Sequence, residues 1–301
     1  MKPDWRKIEF ENPGLVVRSA GFLGEGWNSR AYLVNNEHVF RFPQRAENWD
    51  ELKREIKFLA FAACKLPLAV PQYVQVMPDS PAAECGYAVY RYLRGHAMNV
   101  NLLTQKKRTA AADTIATFLR TLHGLQLSPE LTFLLPREDA RINAEEDIAE
   151  AEREIVPKLL PSEAETLRKQ FEMYLSAPAN FSFRPAVLHS DLSRDHLLME
   201  DDAVVAIIDF GDVCRGDPDY DFMYLFVDFG QAFVKEVARR YEHPDLEQLG
   251  MKLQYFGMVD QIGTILHGEG RAPEGQTDAA WRRLKQLLQS NGFIRLKTAS
   301  K

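Results

Sequence analysis

Cysteine is scarce in this chain. Its 301 residues include three, Cys64, Cys85 and Cys214, an odd number with no metal-binding spacing. That excludes a disulfide framework and a zinc cage, and it fits reduced thiols in a cytoplasmic protein. No apolar run approaches the length of a membrane span, and the opening MKPDWRKIEF has no signal-peptide core, so neither a membrane nor a secretory address is expected. Internal repeats, low-complexity tracts and heptad arrays are also missing. So is a basic surface. The net charge is −6, and between His189 and Gly230 eleven acidic residues stand against two arginines, a local −9. Nucleic acid is a poor partner for such a surface, whereas a cationic ligand suits it. The rest is ordinary: 46% apolar and 27% charged residues describe a soluble globule large enough for one domain or two modest lobes.

Residues 14–42 alternate like a β-meander, with the turn Gly24-Glu25-Gly26 between two strand-like runs and Asn35-Asn36 before HVFRF. Glycines let backbone amides approach a phosphate, but an ordinary hairpin turn explains GEG equally well. Arg41 ends the third strand. A helix over Asn48–Cys64 follows, with Leu52, Ile56, Leu59 and Ala63 on one stripe and Glu55 beside it. A strand cation paired with a helix glutamate positions phosphate in kinases; a surface arginine and a solvated glutamate are the plain alternative. PLAVPQYVQVMPDSPAAECGYAVYRYLRG adds two strands, and Arg91–Gly95 reads as a hinge. Tyr90, just before it, is either a core aromatic or the back wall of a base pocket, with Arg91, Tyr92 and Leu93 along its edge. From Thr104 the pattern turns helical: a helix to Gly124 ending in His123, a capping or packing residue, then two charged helices over 140–176 split around Pro157 and Pro161. Helices over 220–241, 245–267 and 278–292 close the chain.

The densest chemistry lies in residues 186–222. AVL leads into a loop carrying His189, Asp191, Arg194, Asp195 and His196. HLLME and AVVAIID then form a hairpin that delivers Asp209 into Phe210-Gly211-Asp212. The hairpin brings Asp191 and Asp209 to neighbouring loops, one suited to act as base and the other as metal ligand. Phosphoryl transfer needs that division of labour.

In this order the motifs LGEGWNSRAYLV, HSDLSRDHLL, AIIDFGD and DPDYDF resemble the aminoglycoside phosphotransferases, relatives of the protein kinases. The likeness is closest to those acting on the 2″ hydroxyl, and it covers most of the chain. It implies an α+β, two-lobed, protein-kinase-like fold. Residues 1–94 would form the nucleotide-binding lobe, an antiparallel five-stranded sheet plus a helix. Residues 95–301 would form a mostly helical lobe whose β-hairpin carries the active site. By the resemblance Asp191 accepts the proton of the attacking hydroxyl, and Asp209 with His196 holds Mg²⁺, two ions in all. His189 organises the loop, Asp217 braces it, and Asp219 and Asp221 are turn and cap residues. Gly24, Gly26, Ser29, Arg41, Glu55 and Tyr90 to Leu93 face the nucleotide, ATP or GTP. Two departures stand out. Ser29 replaces the third glycine of the protein-kinase pattern, and Arg41 stands where most kinases have lysine.

The expected activity is transfer of a γ-phosphate to an aminoglycoside by a cytoplasmic monomer. Asp195, Asp212, Asp228, Glu236, Asp260 and Glu269 are the candidates for binding the ammonium-rich acceptor. Macrolide, choline or sugar kinases of the same fold are the alternatives, with a pseudokinase binding module behind them.

Overall fold

The computed structural model describes residues 3–268 and 275–289. Strands β1 (Ala20–Glu25), β2 (Ser29–Val34) and β3 (His38–Pro43) form the meander. Asn35 and Asn36, both at φ 55°, take the left-handed conformation that asparagine tolerates in the turn. With β4 (Tyr73–Met77) and β5 (Tyr87–Arg91) they make a five-stranded antiparallel sheet of order β1-β2-β3-β5-β4.

Strand alternation sends Phe40 and Phe42 to one face and Arg41 to the other. The first face is covered by a helix that sequence patterning did not reveal, α1 (Trp5–Glu11). Its Trp5 meets the rings of Tyr32, Phe40 and Phe42 edge-on at 5.6, 5.8 and 6.0 Å. On the second face lies α2 (Asn48–Ala62), which packs Trp49, Leu52 and Ile56 against Ala88 and Tyr73.

After the sheet, Gly95 passes close to the later hairpin at φ 136°, where a Cβ would lie 3.0 Å from both Leu198 Cβ and Met199 O. Only glycine fits there. A short strand, β6 (His96–Ala97), then pairs with β8 (Leu197–Glu200), which pairs with β9 (Ala203–Ile207). Asp201 and Asp202, at φ 50° and 63°, close that hairpin in the left-handed pair a two-residue turn requires.

The helices are α3 (Gln105–His123), α4 (Pro129–Leu134), α5 (Ala140–Glu154), α6 (Pro161–Ser176), α7 (Met223–Tyr241), α8 (Leu246–His267) and α9 (Gln276–Gln289). Of these α4 was not anticipated, and the expected end of the last helix near residue 292 lies outside the described residues. Two short strands, β7 (Ala186–Leu188) and β10 (Cys214–Gly216), pair antiparallel beneath the acidic loops. The main apolar core joins α2 to the helical half: Phe58 and Leu59 share it with Ile115, Phe118, Leu122, Phe210 and Phe222. Among the described residues no helix is long and apolar enough to cross a membrane. The architecture is the α+β one expected.

Candidate active site

Antiparallel pairing sets Leu197 opposite Ile207, so the residues just outside the hairpin, His196 and Asp209, are neighbours. His196 Nε2 lies 3.6 Å from Asp209 Oδ2, and its Nδ1 lies 3.4 Å from Asp191 Oδ2. One imidazole thus bridges the two carboxylates. Nδ1 also lies 2.8 Å from the Asp191 carbonyl oxygen, which orients the ring with Nε2 facing Asp209. Burial works against charge on this ring, but the carboxylates of Asp191 and Asp209 outweigh it and raise its pKa. Asp209 itself sits at φ 63°, an uncommon conformation that clusters at functional sites.

Burial pushes the Asp191 carboxyl up to about 7; His196 opposes this, while Asp212, Asp209 and Asp260 add to it. His189 is fully buried. Its Nε2–H donates to the Ile208 carbonyl at 3.0 Å, and its Nδ1 accepts the Asp191 amide at 3.2 Å. Burial lowers its pKa to about 4, so the ring is neutral and ties Asp191 to the hairpin.

Across the cleft, Arg41 Nη1 donates to Glu55 Oε2 at 2.8 Å and to Oε1 at 3.0 Å, and the Glu55 side chain is 0% exposed. Arg41 Nε and Nη2 donate to Ser29 Oγ at 3.2 and 3.0 Å, and Nη2 also reaches Asp209 Oδ1 at 3.2 Å. The side chain of Asp209 remains 41% exposed. Burial works to raise its carboxyl, yet Arg41 and His196 hold it below the usual range. Gly26 N–H closes the β1–β2 turn on Ser29 O at 3.0 Å. Gly24 pairs with Ala31, and a Cβ there would meet nothing within 4 Å. Tyr90 is buried in β5, edge-on to Tyr73 at 5.3 Å. Arg91 is exposed and Leu93 half-buried, while the Tyr92 amide donates to Glu37 O at 2.8 Å.

Three expectations about the acids need correction. The loop is braced by Asp221, not Asp217: Asp221 accepts the amides of His189 at 3.0 Å and Ser190 at 2.7 Å. It is held in turn by His123 Nε2 at 3.0 Å, so His123 acts through the loop and does more than cap a helix. Asp217 instead meets Lys252 Nζ at 2.7 Å, which also holds Asp219 at 2.8 Å. Lys252 was missed, although one lysine within LGMKLQYFGM was a visible oddity. Glu236 turns away from the cleft, accepting from Thr109 Oγ1 at 2.8 Å and pairing with Arg240 at 3.2 Å. The reason is a kink in α7 at Gly230 (φ 80°, ψ 171°), which separates its face from that of Asp228.

Asp228 accepts the Arg194 amide at 2.8 Å, so it lies against the Asp191 loop, near the exposed Asp195. Asp260 accepts Tyr224 Oη at 2.8 Å, and its charge is felt at Asp191. Asp212, exposed, follows Gly211 on the same rim. Glu269 lies outside the described residues.

The chain resembles several solved structures over nearly its full length. The GDP and kanamycin complex of APH(2″)-IIIa matches with a TM-score of 0.88 and 27% identity, covering 96% of this chain and 99% of that one. The ADP-bound aminoglycoside phosphotransferase APH(2″)-Ib matches with a TM-score of 0.74 and 25% identity, over 95% and 97%. A macrolide 2′-phosphotransferase of type I, 20% identical with a TM-score of 0.72 over 94% and 99%, shares the fold. The model of the phosphotransferase enzyme family matches residues 19–251, the span that holds the glycine turn, Arg41, Glu55, Asp191, His196 and Asp209. The chain belongs to that family and has its kinase-like fold.

Proposed function

We propose that the protein transfers the γ-phosphate of ATP or GTP to a hydroxyl of an aminoglycoside, the 2″ hydroxyl by motif, and so inactivates it. The observation that carries the reading is the Asp191–His196–Asp209 constellation facing the Arg41–Glu55 pair. The acceptor oxygen bonds to the γ-phosphorus as the β–γ bridging bond breaks, and the hydroxyl proton passes to Asp191. With its carboxyl near 7, Asp191 is poised for that role at neutral pH. Because the transition state is loose, positioning and charge neutralisation do most of the work. His189 and Asp221 fix the Asp191 loop, and Arg41, with Ser29 and the β1–β2 turn, faces the phosphates. Tyr90 to Leu93 border the base, with the lobes meeting between residues 94 and 95.

The donor set fits magnesium. The half-exposed Asp209 carboxylate and Nε2 of His196 lie 3.6 Å apart, close enough to share one ion once the ring is neutral. Among the described residues no group of three acidic, histidine or cysteine side chains forms a separate cage, and Mg²⁺ in kinase sites takes one or two protein donors plus phosphate oxygens. Asp209 and His196 would hold the two ions, whose charge offsets that of the triphosphate.

The relatives support the finer reading: one structure holds GDP with kanamycin and another ADP. Asp228 and Asp260 beside the Asp191 loop supply the acidic wall a polyamine needs. The test is an acceptor screen with labelled ATP and GTP against aminoglycosides, macrolides, choline and sugars. Transfer to aminoglycosides is expected. Preference for large apolar macrolides, or no transfer at all with nucleotide bound, overturns the assignment.

A further inference from the structure

Arginine at position 41 poses a geometric problem. A lysine ammonium is a point charge with rotatable donors, whereas a guanidinium is a rigid fork whose two edges must be aimed. Here the fork is divided. Nη1 serves both oxygens of Glu55, while Nε and Nη2 point to Ser29, and Nη2 to Asp209. A third side chain closes the Glu55 end. Tyr73 Oη donates to Glu55 Oε1 at 3.0 Å and accepts from Arg41 Nη1 at 3.3 Å. Arg41, Glu55 and Tyr73 thereby form a closed ring of hydrogen bonds.

Tyr73 reaches that ring because β4 is bulged. Tyr73 pairs with Tyr90, but Gln75 pairs with Val89, so one extra residue, Val74, is inserted. In a regular strand residues 73, 75 and 77 share a face. Here Gln75 bonds to Asn12, just past α1, and Met77 packs on the α1 side. Tyr73 faces α2, beside Leu52 and Ile56. Bulges next to active sites re-aim a side chain in this way. The Tyr90 ring, edge-on at 5.3 Å, fixes the phenol, and burial keeps it protonated and able to donate.

We propose that Tyr73 is a positioning residue for the nucleotide. Its hydroxyl pins the Nη1 edge of Arg41 to Glu55 and turns the Nε/Nη2 edge toward the phosphates, which lets arginine stand where such kinases place lysine. The proposal rests on the phosphoryl-transfer reading above. Its role is carried entirely through Arg41, so it touches neither acceptor nor reacting atoms.

The test measures GDP and ADP affinity of the full chain with Mg²⁺ and no acceptor, together with kcat, KM and the thermal midpoint. Tyr73→Phe is expected to weaken nucleotide binding about tenfold, the loss of one hydrogen bond to a charged group. Its kcat at saturating nucleotide should change by less than about threefold. Tyr73→Gln, which can donate to Glu55 and accept from Arg41, recovers part of the affinity. Adding Tyr73→Phe to Arg41→Lys should weaken binding no further, because an ammonium has no edge to aim. Wild-type affinity in Tyr73→Phe, or a full tenfold loss on top of Arg41→Lys, overturns the proposal. If the unaltered protein binds neither nucleotide, the phosphoryl-transfer reading itself fails, and this one with it.

Discussion

Arg41 and Asp209, 168 residues apart in the chain, meet at 3.2 Å through Nη2 and Oδ1. The contact spans the cleft. It joins β3, which carries Arg41, to the loop that carries Asp209, the proposed metal ligand, and it helps keep Asp209 ionised. On the other side of Asp209, His196 passes the connection to Asp191. Four residues thus make one electrostatic chain from the sheet to Asp191, the proposed base.

Asp191 is the first residue to test. A general base works deprotonated, and burial puts this carboxyl at about 7, so kcat should rise with pH through about 7 and level off above it. Asp191→Ala should lower kcat by roughly 10²–10⁴-fold while nucleotide affinity stays nearly constant. Steady-state rates across the pH range, with nucleotide titrations, check both. Turnover that survives the substitution within about threefold assigns the base elsewhere.

Asp221 carries the Asp191 loop on its two oxygens. Asp221→Ala would orphan the amides of His189 and Ser190 and strip His123 Nε2 of its partner. Each unsatisfied buried donor costs about 1–3 kcal/mol, so a loss of roughly 2–4 kcal/mol in urea unfolding is expected, along with a fall in kcat. Asp217→Ala, which breaks a contact to Lys252 instead, should lower stability while sparing kcat in the folded fraction.

The acids proposed for acceptor binding separate by position. Asp228→Asn and Asp260→Asn should each raise the acceptor KM by roughly two- to fivefold, the worth of a partly exposed charge pair, with the nucleotide KM unchanged. Glu236→Gln should leave both constants alone, since its carboxylate serves Thr109 and Arg240. Raising the salt should narrow the differences.

Asp147 gives a stability test with a definite sign. Burial raises its carboxyl to about 6 against a hydrogen bond from Tyr255, above its ordinary value. The folded state therefore holds a proton that the unfolded chain releases earlier, and ionisation opposes folding as pH rises from about 4 to 6. Asp147→Asn should stabilise by on the order of 1–2 kcal/mol above pH 6 and by nothing below about pH 4. Denaturant midpoints at two pH values decide it.

Much of this was legible in the residues themselves. Alternation in β2 and β3, the left-handed Asn and Asp turns, and the hairpin between His196 and Asp209 all depend on local chemistry that a single chain displays. What stayed hidden depends on distant geometry. A seven-residue helix such as α1 has too few turns to show a period. The bulge at Val74 reverses the face of Tyr73 and has no signature in PQYVQV. Asp217 and Asp221 flank one short turn, and only the packed structure tells which of them meets the loop amides. Asp228 and Glu236 read as one helix face until Gly230 bends it.

The cover that α1 provides has a consequence for solution behaviour. Trp5 and Ile8 lie over Tyr32, Phe40 and Phe42, and without them a contiguous aromatic sheet face would meet water. Apolar patches of that kind drive self-association. A chain shortened past Glu11 should therefore precipitate or form oligomers at concentrations where the intact chain stays dispersed, even with every residue of the cleft in place.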